Sequence, residues 1–245
     1  MKKRLKLWGW LIGLTIVLAL LAAGVKTWTE SRYEPQNAAL AALASDDAVE
    51  VRRMEEGIAF VPDAPGAGFI FYPGGLVPAE AYAPLLRALA QEGILCVALD
   101  MPLRLAVLDM NAAAGIGAQF PEIARWSIGG HSLGGAMAAA HAANHAEAYQ
   151  GLVLLAAYST AEIPAHMNVV SVYGDADGVM NRDKYAQYRA NLPAHASETV
   201  ISGGNHAQFG DYGLQAGDGL AAIPPQEQLA AAVQAILPVL TGKME

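Results

Sequence analysis

The chain has 245 residues and one cysteine, so an intrachain disulfide is excluded. Cys96 lies within an apolar run that spans residues 94–99. Reactive thiols occupy polar, partly exposed sites, whereas a cysteine in apolar surroundings is typically buried. The sequence therefore predicts a buried, inert thiol at this position.

Basic residues are scarce outside the N-terminus. The net charge is −8, yet six of the 15 Lys and Arg residues lie in residues 1–32, together with a single Glu. The rest of the chain holds the other 9 basic residues and 22 of the 23 acidic ones. A nucleic-acid partner requires a basic face, so we expect no such partner.

Charge is absent from residues 7–25, an apolar segment of 19 residues. The segment is long enough to span a bilayer as one helix, and the tryptophans near its two ends suit the membrane interface. It is preceded by Lys2, Lys3, Arg4 and Lys6. This basic flank predicts a cytoplasmic N-terminus and an extracytoplasmic remainder.

A cleaved secretory signal is the alternative, because residues 21–24 include the small side chains that a cleavage site needs. The apolar core of a signal usually has about 7–15 residues, so the length of this segment favours an uncleaved anchor. The predicted organisation is a basic flank at residues 1–6, an anchor at 7–25, a linker at 26–47 and one domain at 48–245.

Apolar runs alternate with helical patterns through the rest of the chain. The sequence predicts strands at residues 48–53, 57–61, 68–72, 94–99, 126–128, 152–156, 168–173 and 197–202. It predicts helices at residues 78–91, 105–118, 136–148, 183–191 and 226–240. Continuous apolar strands between amphipathic helices indicate a mostly parallel sheet that is covered on both faces. Catalytic residues in such sheets gather at the carboxyl ends of the strands.

Residues 130–134, with the sequence GHSLG, match the G-x-S-x-G pattern of a nucleophile elbow. This turn holds its serine in a strained conformation, so the residues two before and two after it must be small. A short strand pattern precedes the motif and an alanine-rich helical stretch follows it, which is the context that the motif requires. The flanks therefore favour Ser132 as a nucleophile over an incidental serine in a glycine-rich turn.

A serine nucleophile needs a histidine to take its proton and a carboxylate to orient that histidine. After a nucleophile elbow, the acid and then the histidine follow along the chain. Asp177 comes after the strand predicted at residues 168–173 and is the favoured acid. Asp175 is the alternative, although an Asp beside a Gly is usually a loop or capping residue.

His206 follows the last predicted strand after a glycine pair, where the base must arrive. His141 and His145 have the i, i+4 spacing of metal ligands on a helix, but the sequence offers no third ligand. We therefore predict His206 as the base and no metal site.

An acyl-transfer site also needs two backbone N–H groups to bind the oxyanion. One is expected from Leu133, the residue after the nucleophile, and one from the loop that follows an early strand. The sequence YPGGL at residues 72–76 is placed to supply the second. Either Gly75 or Leu76 is the predicted donor.

Five segments together resemble the α/β-hydrolase superfamily, in particular its small single-domain members grouped with dienelactone-hydrolase-like enzymes. They are YPGGLVPAEAY (72–82), LDMPLRLAVL (99–108), GGHSLGG (129–135), YGDADGV (173–179) and GGNHAQFGDYG (203–213). The resemblance implies the α/β-hydrolase fold, a Ser-His-Asp triad and no cofactor. Dienelactone hydrolases proper use cysteine where this chain has Ser132, so their substrate is not carried over, and the fold alone leaves the substrate open.

Residues 101–105 and 208–222 are predicted to form the wall of the substrate pocket. Arg104 and Tyr72 are candidate pocket residues, although a lone arginine is more often part of an ion pair. No role follows from the sequence for residues 208–222. Lids in this superfamily commonly follow the strand after the elbow helix, and only about a dozen residues are available there, so we expect no large lid.

These features predict a membrane-anchored, extracytoplasmic serine hydrolase that cleaves a small ester-type acyl substrate. An acyltransferase that uses the same triad is one alternative, and a catalytically silent surface binding module is another. The expected partners are the acyl substrate and the membrane, the latter through residues 7–25.

Overall fold

The computed structural model describes residues 14–20, 24, 26–29 and 31–243. It divides into two compact units, Met1–Tyr33 and Glu34–Glu245. In the first unit, residues 14–20 and 26–29 are helical. Most of the anchor predicted at residues 7–25 lies outside the described residues. Within the part of the chain that is described, no helix has the length and apolar character needed to cross a bilayer.

The second unit is built on one sheet of eight strands, which confirms the predicted mostly parallel sheet. The spatial order is β1-β2-β4-β3-β5-β6-β7-β8, and only the β1–β2 and β2–β4 pairs are antiparallel. The strands are β1 (Val49–Arg53), β2 (Gly57–Pro62), β3 (Ala67–Tyr72), β4 (Ile94–Leu99), β5 (Trp126–His131), β6 (Gly151–Leu155), β7 (Asn168–Gly174) and β8 (Ser197–Ile201).

Helices cover both faces of this sheet. They are α1 (Asn37–Ala42), α2 (Ala83–Gln91), α3 (Leu133–Asn144), α4 (Arg182–Tyr188) and α5 (Pro225–Thr241). Helix α3 packs on one face against alternate side chains of β3, and α2 and α5 contact each other. All six residues of β3 and all six of β4 are buried. A strand that is buried on both sides needs a continuous apolar run rather than an alternating one, and that is the pattern these strands have.

The helix predicted at residues 105–118 is wrong. This stretch contains short 3-10 turns at Ala106–Leu108 and Gly117–Gln119, joined by irregular backbone. The buried Tyr72 hydroxyl donates a hydrogen bond to the carbonyl of Met110 (2.9 Å) and accepts one from the N–H of Ala113 (3.0 Å). Gly115 adopts a φ of 83°, which a helix does not allow. A tertiary contact therefore takes main-chain groups that a helix would have paired internally.

Residues 34–47, predicted as part of a linker, belong to the same compact unit as the sheet. Helix α1 contacts α2. Asp211 holds its N-terminal end, because the Asp211 carbonyl accepts the N–H of Gln36 (2.8 Å) and its carboxylate accepts the N–H of Ala39 (2.7 Å).

The carboxyl ends of the parallel strands meet at one edge, where three loops lie close together. We name them the oxyanion loop (residues 73–77, after β3), the acid loop (175–181, after β7) and the histidine loop (202–210, after β8). Strand β5 ends at the same edge and leads directly into Ser132. The connection between β6 and β7, residues 156–167, contains no helix.

Candidate active site

Ser132 forms a sharp turn between β5 and α3. Its φ of 52° and ψ of −122° lie outside the regions that a residue with a side chain normally adopts. A Cβ atom added to Gly130 would stand 2.4 Å from the carbonyl oxygen of Tyr72, and one added to Gly134 would stand 2.2 Å from the same oxygen. Both glycines are therefore required by the close approach of the turn to the end of β3, as the motif predicts.

Asp177 and His206 form a buried hydrogen-bonded pair. The Nδ1 atom of His206 lies 2.8 Å from Oδ2 of Asp177, and the two side chains are 1% and 0% exposed. The other carboxylate oxygen of Asp177 accepts the N–H groups of Val179 and Met180, both at 2.8 Å. Because an ionised carboxylate only accepts hydrogen bonds, the His206 proton is held on Nδ1, and Nε2 keeps its lone pair.

The charge of Asp177 follows from two opposing effects on its pKa. Burial raises the pKa of the carboxyl, but the hydrogen bond and the charge of His206, together with the two backbone N–H groups, lower it by more. The net pKa lies below the ordinary value, so Asp177 is ionised at neutral pH. The pair is thus arranged to stabilise a positive charge on His206.

Asp175 has different partners. Its carboxylate accepts the N–H of Gly203 (2.7 Å) and the hydroxyl of Ser202 (3.2 Å). It therefore joins the end of β7 to the turn after β8, as a loop residue does, and Asp177 is the aspartate that binds His206.

The elbow and the histidine loop meet through His131, the residue before Ser132. The rings of His131 and His206 lie 4.5 Å apart between centroids. The Nε2 atom of His206 is buried and makes no hydrogen bond with any residue that the structure describes, Ser132 included. Hydrogen bonds between a nucleophile and its base are often long in an unliganded site and shorten when substrate binds.

Within the described residues, one N–H group of the oxyanion loop has no hydrogen-bond partner. The N–H of Gly74 donates to the hydroxyl of Tyr82 (3.0 Å), and that of Leu76 donates to the carbonyl of Arg104 (2.7 Å). The N–H of Val77 donates to the carbonyl of Gly74 (3.2 Å). Leu76 is therefore excluded as a donor, and among the described residues Gly75 alone in this loop retains an unbonded N–H.

Gly75 faces the first turn of α3. A Cβ atom added to it would lie 3.3 Å from Cδ2 of Leu133. Leu133 is the first residue of α3, so its N–H has no partner inside the helix. The two N–H groups thus belong to segments in contact with each other, and the helix end adds a partial positive charge at the same point.

A sequence profile of the alpha/beta hydrolase family matches residues 68–230, the part of the chain that carries the elbow, the acid loop and the histidine loop. The chain belongs to the alpha/beta hydrolase family. Membership makes it a hydrolase, and no curated protein matches it significantly in sequence.

Solved structures agree with this family in fold. The protein TT1662 from Thermus thermophilus superposes with a TM-score of 0.57 at 15% identity, over 78% of this chain and 98% of its own. A protein described as a predicted CIB-like hydrolase from Thermoplasma acidophilum gives a TM-score of 0.56 at 16% identity, over 76% of this chain and 97% of its own. At these identities the likeness establishes the fold only.

Both candidate pocket residues of this hydrolase are bonded to other residues of the chain. Arg104 forms a bidentate ion pair with Glu34, with N–O distances of 3.0 and 3.1 Å. The structure thus shows the ion pair that the sequence gave as the alternative for this lone arginine. Tyr72 is fully buried, and burial raises the pKa of its hydroxyl, which is bonded to residues 110 and 113. It supports a loop and does not line a pocket wall.

The environment of His131 was not foreseen from the sequence. Its Nδ1 atom lies 2.8 Å from the hydroxyl of Tyr82, which also accepts the N–H of Gly74. Burial, and secondly the charge of His206, hold the pKa of His131 well below its ordinary value. His131 is therefore neutral, and together with Tyr82 it connects the elbow to the oxyanion loop.

The spaced pair His141 and His145 is structural. The two rings stack at 4.2 Å, and the nitrogens of His141 are hydrogen-bonded to Asn111 (3.0 Å) and to the Tyr149 hydroxyl (3.1 Å). Burial lowers the pKa of His141 to about 4. Within the described residues no group of three His, Cys, Asp or Glu side chains is arranged to hold a metal ion.

Proposed function

We propose that this hydrolase cleaves an ester-type acyl substrate through Ser132, His206 and Asp177. The observation that carries the proposal is the buried hydrogen bond of 2.8 Å between His206 and Asp177, next to the strained turn of Ser132. The ionised Asp177 orients His206 with a free Nε2, which is the state that a general base needs.

In the proposed reaction, the Ser132 hydroxyl oxygen attacks the carbonyl carbon while its proton moves to Nε2 of His206. The carbonyl oxygen becomes an oxyanion, which the N–H groups of Leu133 and Gly75 bind. The ester bond breaks, and the leaving alcohol takes the proton from His206. A water molecule then attacks the acyl-enzyme, His206 accepts its proton and returns it to Ser132, and the carboxylic acid leaves.

The short connection between β6 and β7 supports small, soluble acyl groups as substrates. Residues 156–167 contain no helix and so offer no apolar cap for a long chain. Each methylene group that is buried contributes about 0.8 kcal/mol, so a long acyl chain needs a covered groove to be preferred. Short p-nitrophenyl esters should give simple saturation kinetics, and a strong preference for chains beyond about ten carbons would contradict this part of the proposal.

We also propose that residues 7–25 anchor the enzyme and that the hydrolase unit lies outside the cytoplasm. The absence of charge in this segment and the basic residues before it support the proposal. A reporter fused after residue 245 should be active outside the cytoplasm, and the chain should remain in the membrane fraction with its N-terminus intact. A soluble, trimmed chain would indicate a cleaved signal instead.

Labelling with a fluorophosphonate tests the nucleophile. The wild-type protein should be labelled, and Ser132→Ala should not. Ser45→Ala is the matched control, because Ser45 is exposed and its hydroxyl is hydrogen-bonded to the main chain of Val51 in β1, and it should label like the wild type. A folded wild-type protein that takes no label would favour a silent binding module. If labelling succeeds, product analysis with an added alcohol separates hydrolysis from acyl transfer.

A further inference from the structure

Asp218 lies in the long connection between β8 and α5, and its carboxylate collects four backbone N–H groups. Oδ1 accepts the N–H of Gly178 (3.1 Å), His206 (3.2 Å) and Gly219 (2.8 Å). Oδ2 accepts the N–H of Ala207 (2.9 Å). Three of these four donors belong to the acid loop or the histidine loop.

The backbone on either side of Asp218 packs directly on the acid loop. A Cβ atom added to Gly219 would stand 1.9 Å from the carbonyl oxygen of Ala176, and one added to Gly178 would stand 2.6 Å from that of Gly217. No side chain fits between these main chains. This contact explains why Gly219, in a stretch to which the sequence assigned no role, must be glycine.

The same segment is tied to the histidine loop by Asn205. Its side-chain amide donates to the carbonyl of Gly219 (2.9 Å), and its side-chain oxygen accepts the N–H of Gln208 (3.1 Å). The backbone of Asn205 is in turn bonded on both sides to the buried side chain of Gln228 in α5. The segment around Asp218 thus lies between the two loops, with hydrogen bonds to each.

From these contacts we propose that Asp218 is a positioning residue that sets the geometry of the Asp177–His206 pair. The assignment rests on the proposed function, in which that pair acts as acid and base. Gly178 directly follows Asp177, and the N–H groups of Gly178 and His206 converge on one oxygen. The backbones of the acid and the base are thereby held by a single carboxylate.

A carboxylate suits this position because each donor needs an acceptor. An ionised side chain offers two oxygens with lone pairs on both, whereas the amide of Asn replaces one oxygen with a donor. In Asp218→Asn, either the N–H of Ala207 or the three N–H groups at Oδ1 must face an NH₂ group. The two loops then separate or rotate, and a displacement of about 1 Å at reacting groups can cost about a hundredfold in rate.

The test compares Asp218→Asn and Asp218→Ala with the control Asp46→Asn in the full-length protein. Asp46 also accepts two backbone N–H groups, at 3.0 and 2.9 Å, but it does so in the turn before β1. The readouts are kcat and KM for a short p-nitrophenyl ester and the ¹H NMR resonance of the His206 Nδ1 proton. Circular dichroism determines whether each variant is folded.

In both Asp218 variants we expect kcat to fall by about a hundredfold with KM changed by less than about threefold, and the Nδ1 proton resonance to shift or broaden. The control should keep the wild-type kcat and resonance. Unchanged kcat and an unchanged resonance in folded Asp218 variants would overturn the inference while leaving the triad intact.

The two proposals fail in different ways. A wild-type protein that neither hydrolyses the ester nor labels at Ser132 contradicts the proposed function, and the NMR resonance alone then decides the role of Asp218. Loss of the folded state in both Asp218 variants also contradicts the inference, because it assigns Asp218 to the placement of two loops and not to the core.

Discussion

The acid–base side of the candidate site and its oxyanion side are held by different kinds of interaction. On the acid–base side, Asp177 and His206 are buried and hydrogen-bonded to each other, and Asp218 gathers the backbone around them. On the oxyanion side, the carbonyl of Arg104 holds the N–H of Leu76, and the Arg104 side chain is held by Glu34, which is 62% exposed.

Solvent weakens the exposed ion pair on the oxyanion side but not the buried hydrogen bond on the acid–base side. Removing one partner of a buried hydrogen bond to a charged group costs about 1–3 kcal/mol or more, whereas an exposed ion pair contributes about 0–1 kcal/mol. The oxyanion loop has one buried support as well, the Tyr82 hydroxyl. We therefore expect substitutions on the acid–base side to lower kcat strongly. On the oxyanion side we expect a smaller loss of activity at the buried Tyr82 and the smallest at the exposed Glu34.

The largest effect is expected at the three proposed triad residues. Ser132→Ala and His206→Ala should each lower kcat by several powers of ten and by similar factors, because the residues act as a unit. Asp177→Asn should also reduce kcat strongly, because the tautomer of His206 is then no longer fixed. Steady-state kinetics with a short ester measures all three.

Asp175→Asn is the control for that series. It alters a carboxylate in the same loop, and among the described residues that carboxylate binds residues 202 and 203 and not His206. It should leave kcat within about tenfold of the wild type. A larger loss for Asp175→Asn than for Asp177→Asn would show that the acid is assigned to the wrong residue.

The second effect concerns the buried support of the oxyanion loop. Tyr82→Phe removes the acceptor of the Gly74 N–H and the partner of His131 Nδ1, so it should lower the free energy of unfolding by about 1–3 kcal/mol and also reduce kcat. Urea denaturation and steady-state kinetics measure the two consequences.

Tyr149→Phe is matched to it, because Tyr149 is also a buried tyrosine bonded to a buried histidine, His141, but it lies away from the loops. It should lower stability to a similar extent and leave kcat unchanged. If Tyr149→Phe reduced kcat as much as Tyr82→Phe does, the effect would be one of general stability.

The third prediction is a loss of stability on acidification that begins above the range in which carboxylates titrate. The pKa of His141 is lowered to about 4 from its ordinary value near 6.5, and that of His131 also lies well below its ordinary value, so the unfolded chain binds more protons in this window. The free energy of unfolding should therefore fall as pH decreases from about 6.5 to about 4, with His141 contributing on the order of 2 kcal/mol after solvent screening.

Chemical denaturation at a series of pH values tests this prediction, and His141→Gln should flatten the slope. Asp177 has a lowered pKa, so its contribution is present at higher pH and is lost below about 3.8, outside this window. A wild-type stability that stays constant between pH 6.5 and 4 would contradict the buried neutral state of both histidines.

The smallest effect is expected at the exposed ion pair. Glu34→Gln should reduce kcat/KM by less than about fivefold, and high salt should produce a similar reduction in the wild type, because the pair is screened by solvent. Glu50→Gln is the control, since Glu50 forms an exposed ion pair with Arg52 on β1. A loss of more than about a hundredfold in kcat/KM for Glu34→Gln would show that the oxyanion side is as sensitive to substitution as the acid–base side, and would contradict the comparison.

Much of the fold could be predicted from the sequence because it depends on local patterns. The apolar run of β4 predicts its bounds at residues 94–99 without error, since a strand buried on both faces is typically a continuous apolar run. The elbow is equally local, because the turn leaves room only for small residues two positions before and two positions after the serine. The bounds of the other predicted strands and helices differ by a few residues, with the stretch 105–118 as the exception.

The parts that could not be predicted depend on main-chain partners far away in the sequence. Asp218 binds N–H groups as distant as that of Gly178, and a backbone N–H has no signature in the sequence. The exclusion of Leu76 as an oxyanion donor likewise required the position of the Arg104 carbonyl. Arg104 itself is paired with Glu34, 70 residues earlier, so its partner could not be identified from its own neighbourhood.

The acyl-enzyme tests the central claim most directly. The protein is mixed with p-nitrophenyl acetate, quenched in acid during turnover, digested and examined by mass spectrometry, with Ser132→Ala treated in parallel. Our account predicts an acetyl group on Ser132 in the wild type and none at that position in Ser132→Ala. Turnover without an acetyl group on Ser132 would contradict our account. So would an acetyl group on another residue whose substitution abolishes turnover.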